Sequence, residues 1–461
     1  MKDQEEIQQK NLLHNSTLVS LFAQFGFTNL TEIQKKASPI IIQKKDCLVI
    51  APTGSGKTEC SVIPIFSLVK KSKKLGKIKV LYITPLRALN RDVFRRITKY
   101  AQTNELSIEI RHGDTTQTAR RKITENPPDV LITTPETLVI LLTQIKMLDA
   151  LSELEWIVID EVHELLASER GSQLSLSIER LQINSKHTLT KIGLSATVGN
   201  FEEAGKFVVG TKRKCQIVRD ISVRKYDVDI KFVDGTISDV ADKIIEYVLE
   251  LNLDSPILLF TNTRGEAEFL ASILKEKSDI NIELHHGSLS KEVREDTEIT
   301  LREGKRGIVV CTSSLELGLD LGSIELVIHY GSPRQVSKLI QRIGRSRHNR
   351  DASAKGLIIT NNSDDEFETR AILDRIKEGS IEEQKIHDGS LDVLAHHLVG
   401  MTMQLGEIPI NSALKIINNA YPFRNLQLDD LLSVLDLLDS NYLIFFDRTK
   451  MTFWKKGRSF K

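Results

Sequence analysis

Residues 47–59 read CLVIAPTGSGKTE. The apolar run from Cys47 to Ile50 is continuous rather than alternating, the mark of a strand covered on both faces, as in a parallel sheet. A glycine-bearing loop follows, and then Lys57, Thr58 and a stretch of helical periodicity. Gly54 and Gly56 carry no Cβ to keep backbone N–H groups off phosphate oxygens. Lys57 is spaced to reach the outer phosphates, Thr58 offers a hydroxyl to a Mg²⁺ ion, and the helix presents its N-terminus to the anion. Thr53 and Ser55 belong to the same cradle. The strict pattern opens on glycine; Ala51 stands there and is small enough to fit. A chance glycine turn lacks the strand before and the helix after. These residues therefore predict a bound nucleotide, and they leave open what its hydrolysis drives.

The same alternation of apolar run and helix continues in both directions. KVLYITP, DVLITTP, WIVIDE and KIGLSAT read as further parallel strands, each ending in a polar residue or proline where strand becomes loop. In open α/β sheets ligands sit at these carboxyl ends. A second set follows, PILLFTN, NIELHHG, GIVVCTS, LVIHYGSP and GLIITNN, without a second phosphate loop. Between the sets, from Cys215 to Asp234, the pattern turns irregular and charged and reads as a connection. After Ser380 the period changes again. SLDVLAHHLVGMTMQ is helical, Pro409 opens a second helix, LQLDDLLSVLDLLDS makes a third, and YLIFFDRTKMTFWKKGRSF reads as a hairpin turning at Asp447–Lys450. Three helices and a hairpin predict a winged-helix domain. The expected division is 1–218, 219–380 and 381–461, and the halt on a basic stretch just after the wing suggests part of a longer protein.

Length and composition are consistent with this. A chain of 461 residues is too long for one core and suits two or three domains. Lysine and arginine total 63 against 62 acids, so a polyanion would be held by local patches and not by a global field. No apolar run approaches a membrane span, and the charged start MKDQEEIQQK is unlike a secretory signal, which predicts a cytoplasmic protein. The four cysteines have no zinc-ligand spacing and read as reduced, buried thiols.

Two further stretches carry chemistry. In IDEVHEL, Asp160 ends an apolar strand where it can hold the shell of a Mg²⁺ ion, and Glu161 is positioned to polarise an attacking water. Adjacent acids after a strand are often only a solvated loop; a phosphate loop about a hundred residues earlier makes the catalytic reading the better one. QRIGRSRH, Gln341 to His348, sets several cations near a glycine in a lobe with no phosphate loop of its own. Arginines from a neighbouring domain complete phosphoryl-transfer sites by neutralising charge in the transition state.

In order along the chain, FTNLTEIQ, APTGSGKTE, TPLRALNRD, TTPETL, DEVH, SAT, LLFTNTRGEAE, TSSLELGLD and QRIGRSRH resemble the motifs of superfamily 2 helicases. RHGDTTQTARRK, NPPDVLITTPETL, HHGSLSKEVRE, TSSLELGLD and LDVLAHHLVG resemble one branch, the large helicase-related (Lhr) family of archaea and bacteria. The resemblance spans nearly the whole chain. It implies two tandem RecA-like parallel-sheet lobes followed by a mainly helical winged-helix domain.

The resemblance also implies roles. Gln34 reads adenine with Phe27 beside it, and His163 couples the ATP site to Ser195 and Thr197. Gly318 and Asp320 approach the ribose and phosphates, and Gln341 and Arg345 act on the transferring phosphate, Arg345 as arginine finger. Many relatives end the last motif in Gly-Arg; here Arg347 and His348 stand there, so the second finger is unassigned between them. Arg87, Gly113, Asp114, Thr134 and Glu136 in the first lobe, with Arg264, Ser288 and Thr312 in the second, imply contacts to a nucleic-acid backbone. Such contacts position a strand without reading bases. The expected function is ATP- and Mg²⁺-dependent movement along one strand of DNA, 3′ to 5′, as a monomer, separating a duplex or an RNA–DNA hybrid, with RNA a further possible track. A remodelling or annealing factor and an ATP-gated clamp remain as alternatives.

Overall fold

The computed structural model describes residues 18–52, 54–72, 74–196, 198–220, 226–316, 322–346 and 354–456. The chain forms two compact units, Met1–Asp220 with Glu383–Lys461, and Ile221–Glu382.

The first unit is built on a seven-stranded sheet: β1 (Cys47–Ile50), β2 (Val80–Ile83), β3 (Ile108–Arg111), β4 (Val130–Thr133), β5 (Trp156–Ile159), β6 (Thr190–Ser195) and β7 (Gln216–Arg219). Their spatial order is β3-β4-β2-β5-β6-β1-β7, and every pairing is parallel. Each central strand is buried along its full length because helices cover both faces. Successive side chains point to opposite faces. Val49, Tyr82, Val158 and Leu194 thus join one core, and Leu48, Leu81, Ile157 and Ile159 the other.

The second unit repeats the plan with β8 (Tyr226–Phe232), β9 (Pro256–Phe260), β10 (Ile282–His285), β11 (Gly307–Cys311), β12 (Leu326–Tyr330) and β13 (Ala354–Thr360). Their order is β10-β11-β9-β12-β13-β8, again wholly parallel.

The stretch from Cys215 to Asp234, expected to be an irregular connection, contributes a strand to each sheet. β7 and β8 lie at sheet edges; β8 alternates largely between half-buried and exposed residues, and β7 sets only Ile217 and Val218 between polar neighbours, so neither forms a long apolar run. β3, also an edge strand, reads IEIR, an apolar–polar alternation too short to stand out as an apolar run. Three cysteines are buried and Cys215 only half-buried; all four are free thiols.

The C-terminal helices Leu391–Leu405, Ile410–Ile417 and Leu428–Ser440 enclose a core that includes Leu176 from the first lobe. The hairpin of β15 (Ile444–Asp447) and β16 (Thr452–Lys455) is joined by a short third strand, β14 (Ile408–Pro409), which pairs with β16. This segment is held to the first lobe by Arg180, which is buried and lies on the helix Glu169–Asn184. Its guanidinium donates to Gln404 Oε1 at 2.9 Å, to the Gly400 carbonyl at 3.0 Å and to the Leu142 carbonyl at 3.3 Å. His397 Nδ1 lies 3.3 Å from the same group. Gly400 makes the approach possible, since a Cβ there would stand 2.9 Å from Arg180 Nη1.

Candidate nucleotide site and nucleic-acid face

The phosphate loop begins where β1 ends, with the Ala51 N–H donating to the Ser195 carbonyl of β6 at 3.1 Å. Gly54 and Gly56 take φ of +76° and +88°, the left-handed region that side chains with a Cβ avoid. A Cβ on Gly56 would also meet Gln34 Nε2 at 2.4 Å. Gln34 is buried in the capping box of the helix Glu32–Ile42, its Oε1 accepting from the Thr31 N–H at 3.0 Å. Its Nε2 reaches the Gly56 carbonyl at 3.5 Å, so the capping residue also braces the loop. Phe27 is half-buried, edge-on to Phe22 at 5.8 Å and tilted against Tyr100 at 6.4 Å.

Lys57 is buried and folded back, its Nζ donating to the carbonyls of Ala51 at 2.5 Å and Pro52 at 3.1 Å. Thr58 Oγ1 accepts from Arg96 Nη2 at 2.5 Å. Asp160 follows β5, and its Oδ2 accepts from the Tyr82 hydroxyl at 2.7 Å. Burial, and then the charge of Glu161, push the Asp160 carboxyl up from its ordinary range. Glu161 has φ of 47°, left-handed and unusual for a residue with a side chain. Its Oε2 is buried and makes no hydrogen bond among the described residues, and Ser55 Oγ is in the same condition. Buried polar atoms are normally paired. Two such atoms, one in the glycine loop and one after β5, fit a site for nucleotide phosphates, and Thr58 and Asp160 are the oxygen donors that could hold a Mg²⁺ ion there. Mg²⁺ keeps several waters and needs only one or two protein oxygens besides phosphates.

His163 lies in the next turn. Its Nδ1 is 3.0 Å from Ser195 Oγ and 3.6 Å from Glu161 Oε2, and it accepts from the Ala196 N–H at 3.4 Å. Burial and the nearby Lys57 push its pKa down to about 3, so the ring is neutral. An amide donating to Nδ1 places the ring proton on Nε2.

The expected backbone contacts of the first lobe fall on the loops leaving β2, β4 and β3, while Ala51, Asp160 and Ser195 fall on β1, β5 and β6. The sheet order makes these two neighbouring trios at one carboxyl edge. Arg87 opens the helix Arg87–Thr103, and its side chain is outside what is described. The Gly113 carbonyl accepts from Arg120 at 2.6 Å, and the Asp114 N–H donates to His112 Nδ1 at 3.1 Å. Thr134 caps the helix Pro135–Leu141 and is itself buried, its hydroxyl donating to Thr137. Glu136 pairs with Arg170, which also donates to the Pro85 carbonyl and so ties two of these loops together.

In the second unit, Arg264, Ser288 and Thr312 follow the adjacent strands β9, β10 and β11. Arg264 Nη1 donates to Ser288 Oγ at 2.6 Å. Gln341 and Arg342 are buried, and Arg345 Nη2 donates to the Glu316 carbonyl at 2.8 Å. Arg342 pairs with the Glu316 carboxylate at 3.4 Å and contacts His329 Nε2. Thr53, Thr197, Gly318, Asp320, Arg347 and His348 lie outside the described residues.

Tyr82, Arg96, Arg170 and the Glu316–Arg342 pair escaped the sequence reading. Only Tyr82 left a signal, because a tyrosine inside a core strand requires a partner for its hydroxyl.

Comparison with known proteins fits this geometry. The DEAD/DEAH box helicase family matches residues 31–204, and the helicase conserved C-terminal domain matches 239–349. With the two parallel-sheet lobes, these matches define the class, a superfamily 2 helicase core. The winged helix domain of the large helicase-related protein matches residues 374–460. The ATP-dependent helicase Lhr-Core of Methanothermobacter thermautotrophicus is 36% identical over 99% of this chain and 58% of its own length. That of Methanocaldococcus jannaschii is 37% identical over 89% of the chain and 51% of its length. The solved structure of Mycobacterium smegmatis helicase Lhr bound to ssDNA and AMP-PNP aligns with a TM-score of 0.84 at 32% identity, covering 95% of this chain and 60% of that one. The chain belongs to the Lhr family of superfamily 2 helicases. It spans little more than half the length of these relatives. The helicase MrfA bound to DNA and AMPPNP, 21% identical with a TM-score of 0.77, shares the fold.

Proposed function

We propose that this chain is an ATP-driven motor that moves 3′ to 5′ along a single nucleic-acid strand and separates a DNA duplex or an RNA–DNA hybrid ahead of it. The observation that carries the reading is Glu161, held beside Asp160 with a buried carboxylate oxygen that makes no hydrogen bond among the described residues. A carboxylate in that state is a base in want of a proton donor, the part played by an attacking water. Lys57, released from the loop carbonyls, binds the outer phosphates, and Arg345 neutralises charge developing on the transferring group. Thr58 and Asp160 would hold a Mg²⁺ ion, which when bound would supply Lewis-acid charge neutralisation for the transfer. Neutral His163, in contact with Ser195 and close to Glu161, transmits the state of the catalytic carboxylate to the end of β6.

Backbone contacts from the β2, β3 and β4 loops in one lobe and the β9, β10 and β11 loops in the other grip the strand. Alternate closing and opening with ATP advances that grip. The working segments are residues 1–218, 219–380 and 381–461, the last guiding the strand, in a monomer acting in the cytoplasm. That the Mycobacterium smegmatis relative was solved with ssDNA and AMP-PNP supports the substrate class. Strand displacement on duplexes with a 3′ or a 5′ single-stranded tail tests this directly. ATP-dependent separation of the 3′-tailed substrate alone is expected. ATP hydrolysis without separation on either tail would favour a remodelling factor, and strand binding without turnover a clamp.

A further inference from the structure

Both residues assigned to Mg²⁺ already accept a hydrogen bond from a neighbouring side chain. Arg96 Nη2 donates to Thr58 Oγ1 at 2.5 Å, and Tyr82 donates to Asp160 Oδ2 at 2.7 Å. Arg96 belongs to the helix Arg87–Thr103, which none of the nucleotide motifs includes. Its Nε lies 3.9 Å from Glu59 Oε1, and it lies in the fields of Asp92, Asp160 and the Tyr82 phenol. The first turn of the phosphate-loop helix and the acid after β5 thus share one organic cation.

A guanidinium and a divalent cation compete for that position in two ways. Both draw on the lone pairs of the Thr58 hydroxyl, and two cations close together in a partly desolvated site repel. Without the guanidinium, Glu59 and Asp160 would be left among buried groups with less compensating charge, which is costly.

From this geometry we propose that Arg96 is a positioning residue that stands in for Mg²⁺ in the nucleotide-free protein, holding Thr58 in place and offsetting the charge of Asp160, and that it must release Thr58 before the metal nucleotide is bound. Arg96 thereby sets the Mg²⁺ concentration at which nucleotide binds tightly. The inference rests on the assignment of Thr58 and Asp160 to the metal.

The test titrates Mg²⁺ against the intact chain and a fluorescent ADP analogue, reading binding and not turnover. Arg96→Gln removes the charge, so the Mg²⁺ midpoint for tight binding is expected to fall about tenfold, the size of one charge-assisted hydrogen bond. The melting temperature of the nucleotide-free variant is expected to drop, and added Mg²⁺ with nucleotide to restore it. If Arg96→Gln is unfolded at the assay temperature, Arg96→Met keeps the apolar stem and is read in the same way. An unchanged or raised midpoint in a folded variant, beside a wild type that needs Mg²⁺, overturns the role of Arg96. Wild-type binding indifferent to Mg²⁺ overturns the metal assignment itself.

Discussion

Glu161 combines three properties that seldom coincide: burial, a left-handed backbone and a carboxylate oxygen without a hydrogen bond among the described residues. Such strain persists where the surrounding structure enforces it, here with Asp160 accepting from the Glu161 N–H at 3.0 Å. Glu161→Gln keeps the shape and removes the base. ATP turnover is expected to fall at least about 100-fold while nucleotide binding is retained. Near-normal turnover would assign the proton to another group.

His163 gives a separate prediction through pH. Its pKa is about 3 in the folded chain against an ordinary 6.5. A depressed value means that only the unfolded state takes up this proton below 6.5, so stability is complete above that pH and lost progressively toward 3. His163→Asn, which cannot protonate, is expected to flatten the fall in urea midpoint between pH 7 and pH 5.5. An identical slope in the variant would mean that the ring is not buried in solution.

Among the elements, the helix Leu391–Leu405 lies close against a neighbour, because Gly400 faces the buried Arg180 guanidinium. In an exposed helix, replacing glycine by alanine would stabilise by roughly 0.5–1 kcal/mol. Here the added methyl meets a group pinned by hydrogen bonds to Gln404, Leu142 and Gly400 itself. The net effect of Gly400→Ala is expected to be destabilising by about 1–2 kcal/mol, the range of modest overpacking. A lower urea midpoint would register it; a midpoint at or above wild type would show that Arg180 can shift at little cost. The strands divide by the same logic of neighbours. β1, β2, β4, β5 and β6 were legible as unbroken apolar runs because both faces are covered. β3, β7 and β8 were not, since these edge strands carry polar residues beside their apolar ones. The two-residue β14 is too short to have any period.

For the molecule as a whole, the phosphate loop and the proposed arginine finger belong to different compact units. Hydrolysis should therefore need both. Arg345→Ala is expected to lower nucleic-acid-stimulated turnover about 1,000-fold, the contribution of an arginine finger supplied from a second domain. Stimulated turnover unchanged by the substitution would place the whole catalytic apparatus in the first unit.

The phosphate loop, the Asp160–Glu161 pair and the succession of buried strands could be read from residues 47–197 alone. Their requirements are local: a glycine where φ is positive, a hydroxyl one residue after the lysine, and a carboxylate where an apolar run stops. The partners of those groups could not be read in this way. Arg96 meets Thr58 across 38 residues, Tyr82 meets Asp160 across 78, and Arg180 meets His397 across 217. An arginine on an amphipathic helix has the same local pattern whether it faces water or a buried hydroxyl. Which of the two it meets is set by where the sheet order β5-β6-β1 carries the neighbouring loops, and that order arises only when strands distant in sequence pair.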